Sequence, residues 1–183
     1  IYIVSISGLF KVAEEMLEKG ADVNAQGGQY GNALQAAAYR GHEITVELLL
    51  EKGADVNAQG GEYGNALQAA VYRGNKRIVE LLLEKGADAN AQGGQYGNAL
   101  QAAAYGGNEK IVELLLEKGA DVNAQVGQYG NALQAAAYGG NEIIMELLLE
   151  KGADVNAQGG QFGTALQAAI YRQSEKIAEL LLE

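Results

Sequence analysis

The sequence predicts an all-α repeat solenoid of stacked helix-turn-helix units joined by β-hairpin loops, and two regularities carry the prediction. The string Gly-Ala-Asp recurs at Gly20, Gly53, Gly86, Gly119 and Gly152, a fixed period of 33 residues; a constant spacing of that size marks one supersecondary unit copied along the chain. Each copy also holds two stretches with apolar residues at helical spacing, punctuated by Gly. Gly occurs 26 times and Pro never.

Ile1 aligns with Leu34 and Glu183 with Glu51, so the chain enters inside the first helix of one unit and leaves inside the second helix of another. A single repeat domain over 1–183 is expected, with a partial first unit at 1–19, units of 33 residues from 20, and the last unit ending at 183: six helix pairs and five hairpins in total. In the first complete unit, Leu34, Ala37 and Ala38 fall at i, i+3 and i+4, one face of a short helix A. Asn32 before it is a good N-cap, and Gln35 three residues on completes an Asn-x-x-Gln capping box; Thr164 and Gln167 give the Thr form. Each such box should satisfy two otherwise orphan backbone donors, a structural role for these glutamines. Gly41-His42 breaks the pattern as an inter-helix turn. Helix B then runs from Glu43 to Lys52 and should bury Val46, Leu49 and Leu50. Lys52 suits the negative end of the helix dipole, and Gly53 is the expected left-handed stop. Ala54 to Gly64 is left for an extended, hairpin-like connection.

These residues resemble the ankyrin repeat. The match runs through Asn32-Ala33-Leu34-Gln35, Gly41-His42 and Glu47 to Ala58, and it covers the whole chain. Asn-Ala-Leu-Gln stands where that family has Thr-Pro-Leu-His. The tip Gly27-Gly28-Gln29-Tyr30-Gly31-Asn32 is similar to the dialect of ankyrin arrays in fungal NOD-like receptors. The chain departs from the family in lacking Pro, in carrying Tyr at the tip, and in placing Gln173-Ser174 at the last inter-helix turn.

Several chemistries are excluded by composition. With no Cys there is neither a disulfide framework nor a thiolate zinc site nor a cysteine nucleophile. No apolar stretch reaches the ~18 residues of a membrane span, and no signal peptide is recognisable at Ile1 to Val4. A cytoplasmic protein without membrane contact is therefore expected. A formal charge of -10 argues against a nucleic-acid backbone as partner. Asp22, Asn24 and Gln26 imitate half of a calcium loop, but Ala33 stands where its bidentate Glu belongs, so these side chains are assigned to bracing the turn. The Gly-rich tip lacks the first Gly of a dinucleotide fingerprint and the Lys of a phosphate loop. His42 is the sole histidine, too few for a triad or a two-His metal site, and Glu47 and Glu51 read as a solvated face. The expectation is a chain that is not an enzyme and binds no cofactor or metal.

What remains is a surface. By resemblance to the family, the end of helix A and the hairpin tip face a concave groove that grips partner proteins. Those positions hold Tyr39, Tyr72, Tyr105, Tyr138 and Tyr171, followed by Arg40, Arg73, Gly106, Gly139 and Arg172. The tips hold Tyr30, Tyr63, Tyr96, Tyr129 and Phe162, preceded by Gln29, Glu62, Gln95, Gln128 and Gln161. Tyr and Arg dominate interface hot spots because they bring large area, few rotors and a polar handle. The same rings would serve equally well as an inter-repeat ladder. For the tip rings the two roles stand level, and for the helix-A rings exposure is favoured. The expected function is protein binding through the groove, as the sensor arm of a fungal immune-type receptor, for an acidic or aromatic-accepting partner of unknown identity. A structural spacer and an engineered consensus-type scaffold are the alternatives, and irregularities such as Thr45, Ala89, Val126 and Gln173 speak against the second. Apolar, uncapped ends (Ile1, Ile3, Val4, Ile6; Ile177, Leu181, Leu182) also imply weak end-to-end self-association.

Overall fold

A computed structural model of the chain describes residues 1–182. These residues form six helix pairs, gathered into two compact units, residues 1–94 and 95–183. The first unit holds α1 (Tyr2–Ile6), α2 (Phe10–Glu18), α3 (Ala33–Arg40), α4 (Glu43–Glu51), α5 (Ala66–Tyr72) and α6 (Lys76–Glu84). The second holds α7 (Ala99–Tyr105), α8 (Glu109–Glu117), α9 (Ala132–Gly139), α10 (Glu142–Glu150), α11 (Ala165–Tyr171) and α12 (Glu175–Leu180). Odd-numbered helices are the A helices and even-numbered ones the B helices. Within the first unit α3 packs between α1 and α5, with α4 between α2 and α6; in the second, α9 packs between α7 and α11. The all-α repeat class read from the sequence is the one observed.

Short A helices survive because they are almost wholly buried. Ala33 to Ala38 are inaccessible in α3, as are Ala132 to Ala137 in α9, and alanine lets neighbouring helices approach closely at no side-chain entropy cost. Helices of seven or eight residues would be marginal alone, so this packing supplies their stability. In α4 the buried set is Thr45, Val46, Leu48 and Leu49, while Leu50 is half-buried. The stripe thus lies nearer the helix start than the sequence pattern implied, because three consecutive leucines offer no polar residue to mark its edge. α4 ends at Glu51, Lys52 follows as its C-cap, and Gly53 takes the left-handed conformation at φ 86°.

The inter-helix turns use the same device. Gly41 has φ 80° and Gly140 φ 79°; in the last pair Gln173 accepts φ 59°, the one non-glycine with positive φ among the described residues. The hairpin loops carry little strand structure. Each hairpin contributes an isolated bridge at most, Gly60 to Gly64, Val126 to Gly130 and Gly159 to Gly163, and no named strand occurs among the described residues. An Asx turn explains part of this brevity, since Asp22 Oδ1 accepts from Asn24 N at 2.9 Å and Asp55 and Asp154 repeat it. Glycine is required where hairpins of successive repeats touch. A Cβ on Gly127, at φ 65°, would stand 2.7 Å from both Gly97 Cα and Tyr96 O.

Candidate functional site

Successive repeats are joined by three columns of polar side chains, and these fix the surface that the aromatic residues occupy. Asn24 Nδ2 donates to Gly53 O at 3.3 Å while its Oδ1 accepts from Asp55 N at 2.8 Å. Asn57 and Asn123 make the same pair of bonds to their following repeats. At the inter-helix turns His42 Nε2 lies 3.0 Å from Ile6 O, Asn75 Nδ2 donates to Ala38 O at 3.0 Å, and Asn141 Nδ2 donates to Ala104 O at 2.7 Å.

The third column is the helix-A glutamine, and here capping is only half of the role. All five N-caps accept a bond from the backbone N–H three residues on, as with Gln35 N to Asn32 Oδ1 at 2.9 Å. The reciprocal bond expected in every box closes only at Asn131–Gln134 and Thr164–Gln167. Gln35 and Gln101 leave Oε1 without a partner and spend Nε2 on the next hairpin. Gln35 Nε2 meets Ala58 O, Gly60 O and Gly64 O at 3.0, 3.2 and 3.2 Å, and Gln134 Nε2 reaches Gly163 O at 2.7 Å. These glutamines are inter-repeat clamps, a role signalled in the sequence only by their recurrence in every copy. Tyr2 stands at the corresponding position of the first pair, and its hydroxyl accepts from Tyr30 N at 3.0 Å.

Held this way, tip and helix-A rings interleave. In the first unit the order Tyr30, Tyr39, Tyr63, Tyr72 has centroid separations of 4.5, 4.9 and 4.9 Å. In the second, Tyr96, Tyr105, Tyr129, Tyr138, Phe162 and Tyr171 follow at 5.5, 5.2, 5.5, 4.6 and 5.1 Å. These distances suit offset and tilted aromatic pairs. The question left open for the tip rings is answered by burial: Tyr63, Tyr96 and Tyr129 keep only 7, 7 and 4% of their surface exposed, so they hold the stack and offer a partner almost no area. Tyr30 is half-buried. The helix-A rings are both stacked and accessible, since Tyr39, Tyr105 and Tyr138 are half-buried, Tyr72 is 38% exposed and Tyr171 69%.

Arg40, Arg73 and Arg172 are exposed and lie against these rings. Arg40 Cζ is 5.9 Å from the Tyr30 centroid and 5.8 Å from that of Tyr39; Arg73 Cζ is 5.1 Å from Tyr39, and Arg172 Cζ is 5.3 Å from Tyr138. Such contacts orient a guanidinium without using its N–H donors. The tip polar residues Gln29, Glu62, Gln95, Gln128 and Gln161 are all exposed. Gln29 Nε2 donates to Glu62 Oε2 at 2.6 Å, and Gln161 N donates to Gln128 O at 2.8 Å.

Burial among phenols changes their acidity. Tyr129 is pushed up to about 12, chiefly by desolvation and then by its neighbour Tyr105; Tyr63 is raised further still, again by desolvation first, then by its contact with Tyr39. Neither ring ionises at neutral pH.

A protein of stacked helix pairs, bonded repeat to repeat, belongs to the class of helical-repeat proteins. The description "Ankyrin repeats (3 copies)" matches residues 1–93, 61–126 and 100–183, and the chain belongs to the ankyrin-repeat family. Members of this family are in general protein–protein interaction modules, and no catalytic family is indicated. A search of the curated proteins found no match to the chain. No helix among the described residues is long and apolar enough to cross a membrane.

Proposed function

We propose that the chain holds a partner protein on the face that the A-helix ends form in each unit, with Tyr39 and Tyr72 as contact rings and Arg40 and Arg73 as polar anchors in the first, and Tyr105, Tyr138 and Tyr171 with Arg172 in the second. Gln29, Glu62, Gln95 and Gln128 border that face, while Tyr30, Tyr63, Tyr96 and Tyr129 stiffen it from behind. One observation supports this most: Tyr39 is stacked between Tyr30 and the buried Tyr63, and Tyr105 between the buried Tyr96 and Tyr129, with exposed Arg40 and Arg73 already laid on Tyr39. Rings fixed before binding lose little freedom on contact, which is what makes preorganised Tyr and Arg effective anchors. We place the chain in the cytoplasm. The Gly27 to Asn32 tip supports a finer form of the proposal, the sensor arm of a fungal immune-type receptor, for which a nucleotide-binding domain encoded upstream in the same gene is the required companion.

The test uses a partner captured from extract of the source cells. Tyr72→Ala with Arg73→Ala should weaken it by ~2 kcal/mol or more, about 30-fold in Kd, as a central hot spot does. Glu113→Ala, on the exposed face of α8, should change affinity less than twofold. Unchanged affinity in a folded double variant, with loss from Glu113→Ala, would place binding on the B helices instead.

A further inference from the structure

Two isoleucines away from the tyrosine face are left in solvent, Ile44 at 63% and Ile143 at 62% exposed. They occupy the same place, the second residue of α4 and of α10, three 33-residue periods apart and one in each compact unit. The other four helix pairs carry Lys11, Arg77, Lys110 and Lys176 there. Exposure is therefore normal at this position, and isoleucine is the departure. A lone surface isoleucine needs no account, but each of these stands at the lip of a groove. The groove beside Ile44 has a volume of about 370 Å³ and is bounded by Phe10 and His42; that beside Ile143 has about 290 Å³ and is bounded by Glu109 and Asn141. Glycines of the inter-helix turns, Gly8 and Gly41 in one and Gly107 and Gly140 in the other, add no side chain to fill either groove.

The two patches share an apolar centre and differ in the charge around it. Each isoleucine follows a glutamate already tied to a cation of the next repeat, Glu43 to Arg77 Nε at 2.9 Å and Glu142 to Lys176, so the preceding residue brings no uncompensated charge. In the first unit the B helices open with Phe10-Lys11, Glu43-Ile44 and Lys76-Arg77, three cations against one carboxylate, net +2. In the second they open with Glu109-Lys110, Glu142-Ile143 and Glu175-Lys176, two cations against three carboxylates, net -1. The row one turn further on, Glu14, Glu47 and Glu80 in the first unit and Glu113, Glu146 and Glu179 in the second, is acidic in both and adds no preference. Pairing like patches opposes rims of one sign, whereas pairing the first with the second opposes unlike rims.

We propose that a second copy of the chain docks on this surface, Ile143 of one copy entering the groove beside Ile44 of the other, with the basic first-turn rim of the first unit against the acidic rim of the second. The contact joins unlike patches, and every copy carries one of each, so association is of the head-to-tail type. An unrelated protein with an exposed apolar side chain is the competing occupant. It is disfavoured because each groove finds its complement, an isoleucine ringed by the other charge, on the chain itself. Stacking of the end pairs through Ile3 and Leu182, also exposed at 76 and 71%, is a separate contact that the test distinguishes. The inference is independent of partner binding on the tyrosine face.

The experiment is sedimentation equilibrium of the full chain at concentrations up to ~1 mM, in ~0.15 M salt, where screening over ~8 Å leaves local charges in command. The weight-average mass should rise with concentration. Ile44→Gln and Ile143→Gln should each weaken association at least about tenfold, through lost apolar burial at unchanged charge. An equimolar mixture of these two variants should recover a dimer, because one retains Ile143 and the other Ile44. Lys11→Glu should weaken association about two- to threefold, and Lys110→Glu should strengthen it by as much. A position that carries lysine or arginine in four helix pairs accommodates glutamine, and circular dichroism at 222 nm checks that every variant is folded. The proposal is overturned by a chain that stays monomeric at every concentration, or by either isoleucine variant associating as well as the unaltered chain, the sign of end stacking or of like-with-like contact. A variant mixture that remains monomeric while the unaltered chain associates, or two lysine substitutions acting in the same direction, would also overturn it.

Discussion

Replacing Gln134 with Ala tests the clamp that holds the binding face in place. Its Oε1 accepts from Asn131 N at 3.0 Å and its Nε2 donates to Gly163 O at 2.7 Å, with longer contacts of 3.3 Å to Ala157 O and Gly159 O. Truncation removes two good bonds at ~1 kcal/mol each and leaves the buried Asn131 N–H unsatisfied, for ~1 kcal/mol more. Two lost methylene-sized groups and an imperfectly closed cavity add ~1 kcal/mol. The total is ~4 kcal/mol, a large share of the 5–15 kcal/mol typical of a domain. Gln35→Ala provides an internal comparison, because Gln35 Oε1 has no partner and only the Nε2 bonding and the packing are lost; ~2 kcal/mol is expected there. Urea unfolding followed by circular dichroism at 222 nm, read as midpoint shifts at constant slope, measures both. A Gln134→Ala cost below ~1 kcal/mol, or a larger cost at Gln35, would refute the clamp.

Two further outcomes follow from backbone and burial. Gln173→Gly should raise stability by ~1 kcal/mol, because φ 59° suits glycine and strains a side chain; a thermal melt that is unchanged or lower would show that Gln173 makes a compensating contact. Tyr129 ionises in the unfolded chain near 10 and in the folded chain near about 12, so its contribution is complete below pH 10 and is lost as pH rises through the folded value, ~2–3 kcal/mol across that window. Melts between pH 9 and 12 should show the decline, and Tyr129→Phe should lessen it, leaving the part that comes from the raised Tyr63.

The fold was legible in the sequence wherever the determinant was local and repeated. Gly41, Gly53 and Asn32 announce turn, stop and cap because their short-range conformational preferences suffice. What escaped was set by the neighbouring repeat. Gln35 looks like a capping residue since its reach to Gly64 O depends on where the next hairpin lies. Tyr63 and Tyr72 are the same residue type, so composition gives no reason for one to be buried and the other exposed; the difference arises because Tyr63 is inserted between the two helix-A rings Tyr39 and Tyr72. The arginine pair on Tyr39 was legible only as two residues one period apart, its convergence on a single ring being a product of side-chain packing.

Backbone amide exchange of the chain, alone and with its partner, tests the central claim most directly. If the partner sits on the tyrosine face, protection gained on binding should concentrate at Tyr39 to Gly41, Tyr72 to Gly74 and the tips Gln29 to Gly31 and Glu62 to Gly64, with the exposed sides of α4, α6, α8 and α10 unchanged. Protection confined to those B helices, with the tyrosine face exchanging as in the free chain, would contradict it.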